Sequence, residues 1–359
     1  MMRVRLATAV SAYPFYNFRY LKLLDEFARV FDVYCFAGSA LGRRVRRAGF
    51  RLVHVYPFTV PRRIRYVVGP YVAQFFMNVI RADVVWLFDT ATALAPNFLR
   101  SPAVLDVDDP KVVLPPDELA KQSRLSLVHE MRMLTDKRFR KIVVTTEMIR
   151  QKLVSLGVDK ERIEVIPNGV DTELFKPSPL PDEPVVLYYG TFQPHRAQLL
   201  IKVVEKVASM RSDIRFLLVG DVPQPVATML KKVAGDRVEM PGFVPHDELP
   251  KWIQKSRICI LTQDRSLGGR LSFKLLEYMA SGRPVVSTDV DESFPVRDSG
   301  AGIVTPIDAD AMANAIIQLI DDDALAKQMA ERGVNYAKQF DWRMMVDKYV
   351  NLIKQVAQT

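Results

Sequence analysis

Cysteine is almost missing from this 359-residue chain, which has only two. Cys35 and Cys259 each sit inside an apolar run, VYCFAG and ICILTQ, so buried strand thiols are expected rather than a disulfide framework or a metal site. That usage suits a reducing compartment. Histidine is as scarce: His54, His129, His195 and His246 show no H-x-x-x-H spacing, which removes zinc chemistry from consideration. No apolar run approaches the ~20 residues that cross a bilayer, and the opening MMRVRLATAV is interrupted too soon for a signal peptide. A cytoplasmic location is the expectation. Also missing are a Gly-x-Ser-x-Gly elbow, a Walker loop, an internal repeat and any recognisable nucleic-acid module, so no nucleic-acid partner is expected.

What is present is ordinary globular material, with 49% hydrophobic and 25% charged residues, in a chain longer than one hydrophobic core usually supports. Two domains follow. Near-continuous apolar runs recur as VRLATAV, VYCFAG, LVHVYPF, DVVWLF, AVLDVD and KIVVTT, then as VVLYYG, FLLVG, ICILTQ, PVVSTD and GIVTP. Such runs indicate strands covered on both faces, and the segments between them are long enough for crossover helices. The expected fold class is α/β, with two doubly wound, Rossmann-like domains facing a central cleft. The prolines of LFKPSPLPDEPVV make a stiff connector. Residues 1–178 are therefore assigned to a first domain and 179–340 to a second. In 341–359, Trp342, Met345, Val346, Tyr349, Ile353 and Val356 form one helical stripe behind Asp341 as N-cap.

The net charge of +9 favours an anionic partner. Much of it lies in GRRVRRAGF (42–50) and PRRIRYVVGPYVAQFFMNVI (61–80), where Arg alternates with Phe, Tyr and Val. Two readings stand side by side: an amphipathic helix on an anionic membrane surface, or a core-facing helix with a solvated basic rim.

The most informative stretch is DRSLGGRLSFKLLEYMASGRPVVST, read as a loop, a helix over 271–281, a stop at Gly282 and the next strand. Glycines before a helix admit close backbone approach, and the first-turn N–H groups with the helix dipole attract an anion. A diphosphate fits that place, with Lys274 adding a full charge. Glu277, one turn on along the same face, is able to accept two hydrogen bonds from a vicinal diol such as a ribose. The competing reading is a surface i,i+3 ion pair worth only ~0.2–0.5 kcal/mol.

With these residues in view, the chain resembles the retaining GT-B glycosyltransferases of family 4. FKLLEYMASGRPVV is similar to the family's donor-binding segment, and IEVIPNGVDTELFKP (163–177) to the turn leading into its interdomain linker. VLYYGTFQPHR resembles the first strand and phosphate loop of its nucleotide domain, and VEMPGFVPHDELPKWIQKSRICIL the loop that meets the nucleobase. The final helix resembles the one that crosses back to the N-terminal domain. The likeness is specific over residues 140–359 and covers 1–139 only in general rhythm.

The resemblance implies ribose binding by Glu277, phosphate binding by Arg196 with Lys274 as second cation, close donor approach at Gly190 and Thr191, and donor contacts at Val244 and Gly269. Arg196 and Lys274 would meet the charge that develops on the leaving diphosphate. Three departures stand out. The acid usual eight positions before the ribose ligand is Gly269, so Asp264 or backbone amides are expected to substitute. Thr191 replaces the usual basic residue after the phosphate-loop glycine. SAYPFYNFRY replaces a glycine-rich turn, which makes Tyr13, Phe15, Tyr16 and Asn17 acceptor-groove candidates alongside plain packing. Asp108 of DVDDP aligns where relatives place a histidine, as a catalytic candidate or as a helix cap or turn former. DVDD also mimics an Asp-x-Asp metal motif, but no required metal or other cofactor is expected, because cations and a helix N-terminus already serve the phosphates.

The expected activity is transfer of a sugar from a nucleotide-diphosphate sugar to an acceptor hydroxyl with retention of configuration, the acceptor being a glycan or lipid-linked. The expected location is cytoplasmic, with peripheral attachment at the inner membrane face. The alternatives are a sugar-nucleotide epimerase of the same architecture and a non-catalytic nucleotide-sugar binding protein.

Overall fold

The computed structural model describes residues 3–10, 18–37, 51–54, 62–90 and 99–358. The chain forms two compact units, Met1–Pro167 with Met345–Thr359, and Asn168–Met344.

The first unit holds a seven-stranded, all-parallel sheet of β1 (Arg5–Val10), β2 (Asp32–Ala37), β3 (Arg51–His54), β4 (Val84–Phe88), β5 (Ala103–Asp106), β6 (Phe139–Val144) and β7 (Ile163–Val165), in the order β3-β2-β1-β4-β5-β6-β7. The second holds six parallel strands, β8 (Val185–Tyr189), β9 (Arg215–Val219), β10 (Val238–Gly242), β11 (Ile258–Leu261), β12 (Val285–Thr288) and β13 (Gly302–Thr305), in the order β10-β9-β8-β11-β12-β13. Strand order therefore reverses between β1 and β4 in one sheet and between β8 and β11 in the other, the positions where open α/β sheets bind ligands beyond their strand ends. Every apolar run read as a strand contributes to one. The central β4, β5, β11 and β12 are buried along their whole length, the pattern of strands covered on both faces.

The proline-rich connector belongs to the second unit. Buried Arg283 donates to the carbonyl (2.8 Å) and hydroxyl (2.6 Å) oxygens of Ser178, and Arg257 donates to the Pro181 carbonyl (3.1 Å). The division accordingly falls before Asn168 rather than at 178/179. The last helix, Trp342–Ala357, buries all six residues of its stripe. Asp341 Oδ1 accepts the Arg343 amide at 2.9 Å, as an N-cap does. Both cysteines are free and buried, and burial pushes each thiol up to about 12.

In the first unit, Arg19 and Asp106 form a fully buried ion pair at 2.6 Å, and Arg19 also donates to the Tyr349 hydroxyl at 2.6 Å. Burial pushes the Asp106 carboxyl up to about 6, with Arg19 pulling against it.

Candidate functional site

The second sheet carries the site at the ends of β8 and at the helix Phe273–Ala280. That helix starts after Gly268 and Gly269, both at positive φ (+100° and +85°), and stops at Gly282, also positive at +71°. Lys274 is its second residue and Glu277 its fifth, and both are buried, at 9% and 4% exposure. This excludes the surface ion-pair reading, and neither side chain is paired with the other.

The Lys274 ammonium has no hydrogen-bond partner among the described residues. It lies over the rings of Tyr188 (4.8 Å to the centroid) and Tyr189 (5.5 Å), and a Cβ built on Gly190 would stand 2.5 Å from its Nζ. Desolvation, and then the charges of Arg196 and Arg270, hold its pKa well below the usual lysine value. Arg196, in the first turn of the helix Pro194–Met210, donates to the Thr191 hydroxyl at 3.0 Å. Lys274, Arg196, Thr191 and Gly190 are thus brought together around the β8 end, and the charge of Arg270 acts on Lys274 there. Aromatic faces hold the ammonium only in part, so a buried cation without a hydrogen-bond partner, on which two further positive charges act, is a place for an anion.

Glu277 lies one turn after Lys274 on the same helix, and its carboxylate already has partners. Its Oε2 accepts a hydrogen bond from the Tyr189 hydroxyl, and its Oε1 lies 2.7 Å from His246 Nε2. Burial raises its pKa well above the usual carboxylate range. Tyr189 and His246 carry no strand- or helix-level signal that would have paired them with Glu277; Phe175 packs edge-on to His246 at 5.2 Å. Val244 is half-buried beside exposed Phe243 in the loop after β10. At Gly269, a position the resemblance gives to donor contact, the backbone amide donates to the buried carboxylate of Glu292 at 2.8 Å. Asp264, the expected substitute acid, is held by the neighbouring Arg265 at 2.7 Å.

The turn carrying Asn168 and Gly169 is fixed against the loop that leads into that helix and against the first residue of the last one. Asn168 Nδ2 donates to the Leu271 carbonyl at 3.0 Å, and a Cβ on Gly169 would meet the Trp342 ring at 2.6 Å.

In the first unit Asp108 is half-buried just beyond β5, where its charge acts on Arg19 and Tyr20. Tyr13, Phe15, Tyr16 and Asn17 lie outside the described residues, as do the segment 42–50 and the side chain of His195. The helix Arg62–Val79 buries Ala73 and Met77 while Phe75 is 63% and Val79 59% exposed. Among the described residues, no group of three or more His, Cys, Asp or Glu is placed to hold a metal, and no helix is long and apolar enough to cross a membrane.

Two family models match the chain: one described as Glycosyltransferase Family 4 over residues 19–174, and one described as Glycosyl transferases group 1 over 183–322. Among curated proteins, the alpha-D-kanosaminyltransferase of Streptomyces kanamyceticus is 31% identical over 160 residues, covering 42% of this chain and 40% of that protein. The phosphatidyl-myo-inositol mannosyltransferase of Mycolicibacterium smegmatis is 28% identical over 227 residues, covering 60% of this chain and 57% of that one. The aligned stretches therefore span about half the length of these relatives. Among solved structures, the sucrose-phosphate synthase of Thermosynechococcus elongatus superposes with a TM-score of 0.81 at 19% identity, over 99% of each chain. The Anabaena protein HepE in complex with UDP superposes at 0.79 and 19% identity, over 98% of this chain and 100% of that one. These two likenesses show the fold, which is GT-B.

Proposed function

The chain belongs to glycosyltransferase family 4, and from that premise we propose that it moves a sugar from a nucleotide-diphosphate sugar to an acceptor hydroxyl with retention of configuration. The observation that carries this reading is the Lys274 ammonium, buried without a hydrogen-bond partner against Gly190, with the charges of Arg196 and Arg270 acting on it. A diphosphate supplies the matching anion. As the glycosidic bond breaks, negative charge grows on the departing diphosphate, and preorganised cations at that spot lower the barrier. Glu277, one turn along, accepts the ribose hydroxyls once Tyr189 and His246 give way. Arg196 and Lys274 are the proposed catalytic cations, with Gly190, Thr191 and Val244 on the donor side. Three cations take the place of a divalent metal, so we expect no metal requirement. Asp108 is proposed on the acceptor side of the reaction.

The acceptor is proposed to be a glycan or a lipid-linked molecule, in line with the relatives that are phosphatidyl-myo-inositol mannosyltransferases. Phe75, Val79, Tyr71 and Leu99 surround a groove with Arg81 and Arg100 at its edge, a surface suited to an anionic membrane face.

A thermal-shift screen against UDP-, GDP- and ADP-sugars tests the donor reading, since a ligand bound only by the folded state raises the melting temperature. A radiolabelled donor then separates outcomes: free nucleoside diphosphate with a labelled acceptor supports transfer, whereas an altered nucleotide sugar would show epimerisation. No shift with any nucleotide sugar would sink the proposal.

A further inference from the structure

Glu292 has no part in the roles above, yet it is among the most tightly held acids of the second unit. It lies in the short turn Asp291–Ser293 beyond β12 and is 2% exposed. Its Oε1 accepts the amides of both Leu267 (2.9 Å) and Gly269 (2.8 Å), and its Oε2 accepts Gln263 Nε2 (2.7 Å). The same loop is tied to the same segment twice more: the Asp291 amide donates to Ser266 Oγ at 2.9 Å, and Thr288 Oγ1 donates to the Gln263 carbonyl at 2.6 Å.

Alternate amides converging on one oxygen, next to two glycines at positive φ, form the concavity with which backbones bind anions. Here the chain fills that concavity with its own carboxylate. Bonds to a buried carboxylate are roughly twice as strong as neutral ones, so the loop Gln263–Gly269 is held in one conformation. The next residue is Arg270, whose charge acts on Lys274. The direction in which Arg270 leaves the loop is therefore set at the residue just before it, where Glu292 holds the Gly269 amide.

We propose that Glu292 is a positioning residue of the donor site: by occupying the Leu267–Gly269 concavity it fixes Arg270 and the glycine turn relative to Lys274, and so the place of the outer phosphate and its sugar. This rests on the donor reading above. It assigns Glu292 to the phosphate and sugar end only, and leaves the nucleoside end to Glu277.

The experiment uses the full chain with Glu292→Gln, Glu292→Ala and Gln263→Met, titrated calorimetrically with UMP, UDP and UDP-glucose and with GMP, GDP and GDP-mannose. Glu292→Gln keeps the shape and removes the charge. Expected are monophosphate affinity within about twofold of the unaltered protein, an about tenfold smaller gain in affinity on adding the second phosphate, and an about tenfold lower kcat. Gln263→Met leaves both amide bonds in place and is expected to give a smaller change of the same kind, which serves if Glu292→Ala does not fold. Monophosphate and diphosphate affinities falling by one common factor along with Tm would show a mere brace and overturn the proposal, as would variants indistinguishable from the unaltered protein. An unaltered protein that binds neither nucleotide series would remove the donor reading itself, and this inference with it.

Discussion

The Lys274 ammonium ends against the α-carbon of Gly190, so closely that a methyl group on that glycine would stand 2.5 Å from the nitrogen. Two segments more than eighty residues apart in sequence are thereby matched: the end of β8 lacks a side chain where the helix Phe273–Ala280 delivers a charge. Gly190 also has φ of +131°, a conformation that L side chains rarely adopt.

Gly190→Ala is therefore expected to displace the ammonium as well as to strain the backbone by about 1–3 kcal/mol. Nucleoside diphosphate affinity should fall at least about tenfold while nucleoside affinity changes little. Calorimetric titration checks this; diphosphate affinity unchanged in the alanine variant would separate Lys274 from phosphate binding.

Lys274→Met tests the cost of the buried charge. The folded pKa of Lys274 lies well below its unfolded value, so between the two the unfolded chain binds the extra proton, and stability rises with pH until the unfolded lysine value near ~10.4. The methionine variant should lose that slope, melt at the same or higher temperature near neutral pH, and turn over about 100-fold more slowly. Melting curves over pH 6 to 10 and a transfer assay measure both. A variant with normal kcat would clear Lys274 of any catalytic part.

Tyr189 and His246 hold the carboxylate that the nucleoside needs. Tyr189→Phe removes one competitor and is expected to tighten nucleotide binding by about threefold, whereas Glu277→Gln should weaken it at least about tenfold. The folded pKa of Glu277 is raised, so its contribution to stability is complete below the unfolded value of ~4.3 and is lost as pH rises through the folded one. Ribose binding needs the ionised form and should strengthen over that same rise. Weaker nucleotide binding by Tyr189→Phe would mean that the hydroxyl serves the ligand rather than competing with it.

Arg19 and Asp106 are the strongest stability determinant proposed for the first unit. Arg19→Met strands a buried carboxylate and should cost about 3–5 kcal/mol, much of it recovered in Arg19→Met with Asp106→Leu. Asp106 at about 6 favours its protonated form in the folded state, so its contribution is full below ~4 and fades as pH rises through about 6. Asp106→Asn should flatten stability between those values in denaturant titrations; an unchanged slope would count against the assignment.

Phe75→Ser with Arg100→Ser should abolish sedimentation with vesicles that contain anionic lipid, and leave transfer to a water-soluble acceptor analogue intact. Equal sedimentation of variant and unaltered protein would remove this surface from consideration.

Much of the fold was open to reading because its signals are local. Eleven apolar runs became strands since each is nearly unbroken, which only a doubly covered position permits. The two strands not read, β7 and β10, are sheet edges with half-exposed residues and no such run. The stripe from Trp342 to Val356 and the Asp341 cap were likewise carried by spacing alone. Lys274 and Glu277 announced themselves by standing between paired glycines and a Gly-x-Pro stop.

Their partners did not. The lysine meets a glycine just past the end of β8, the glutamate meets Tyr189 at the end of β8 and His246 from the loop after β10, and the Gly269 amide meets Glu292 from beyond the next strand. Sequence by itself determined the secondary structure, the sheet class and which helix carries the charges, because periodicity, turn chemistry and burial act over a few neighbouring residues. Only the tertiary structure decided which charges stay unpaired and which acid fills the loop, because those depend on strand order, and strand order brings together residues that no local pattern connects.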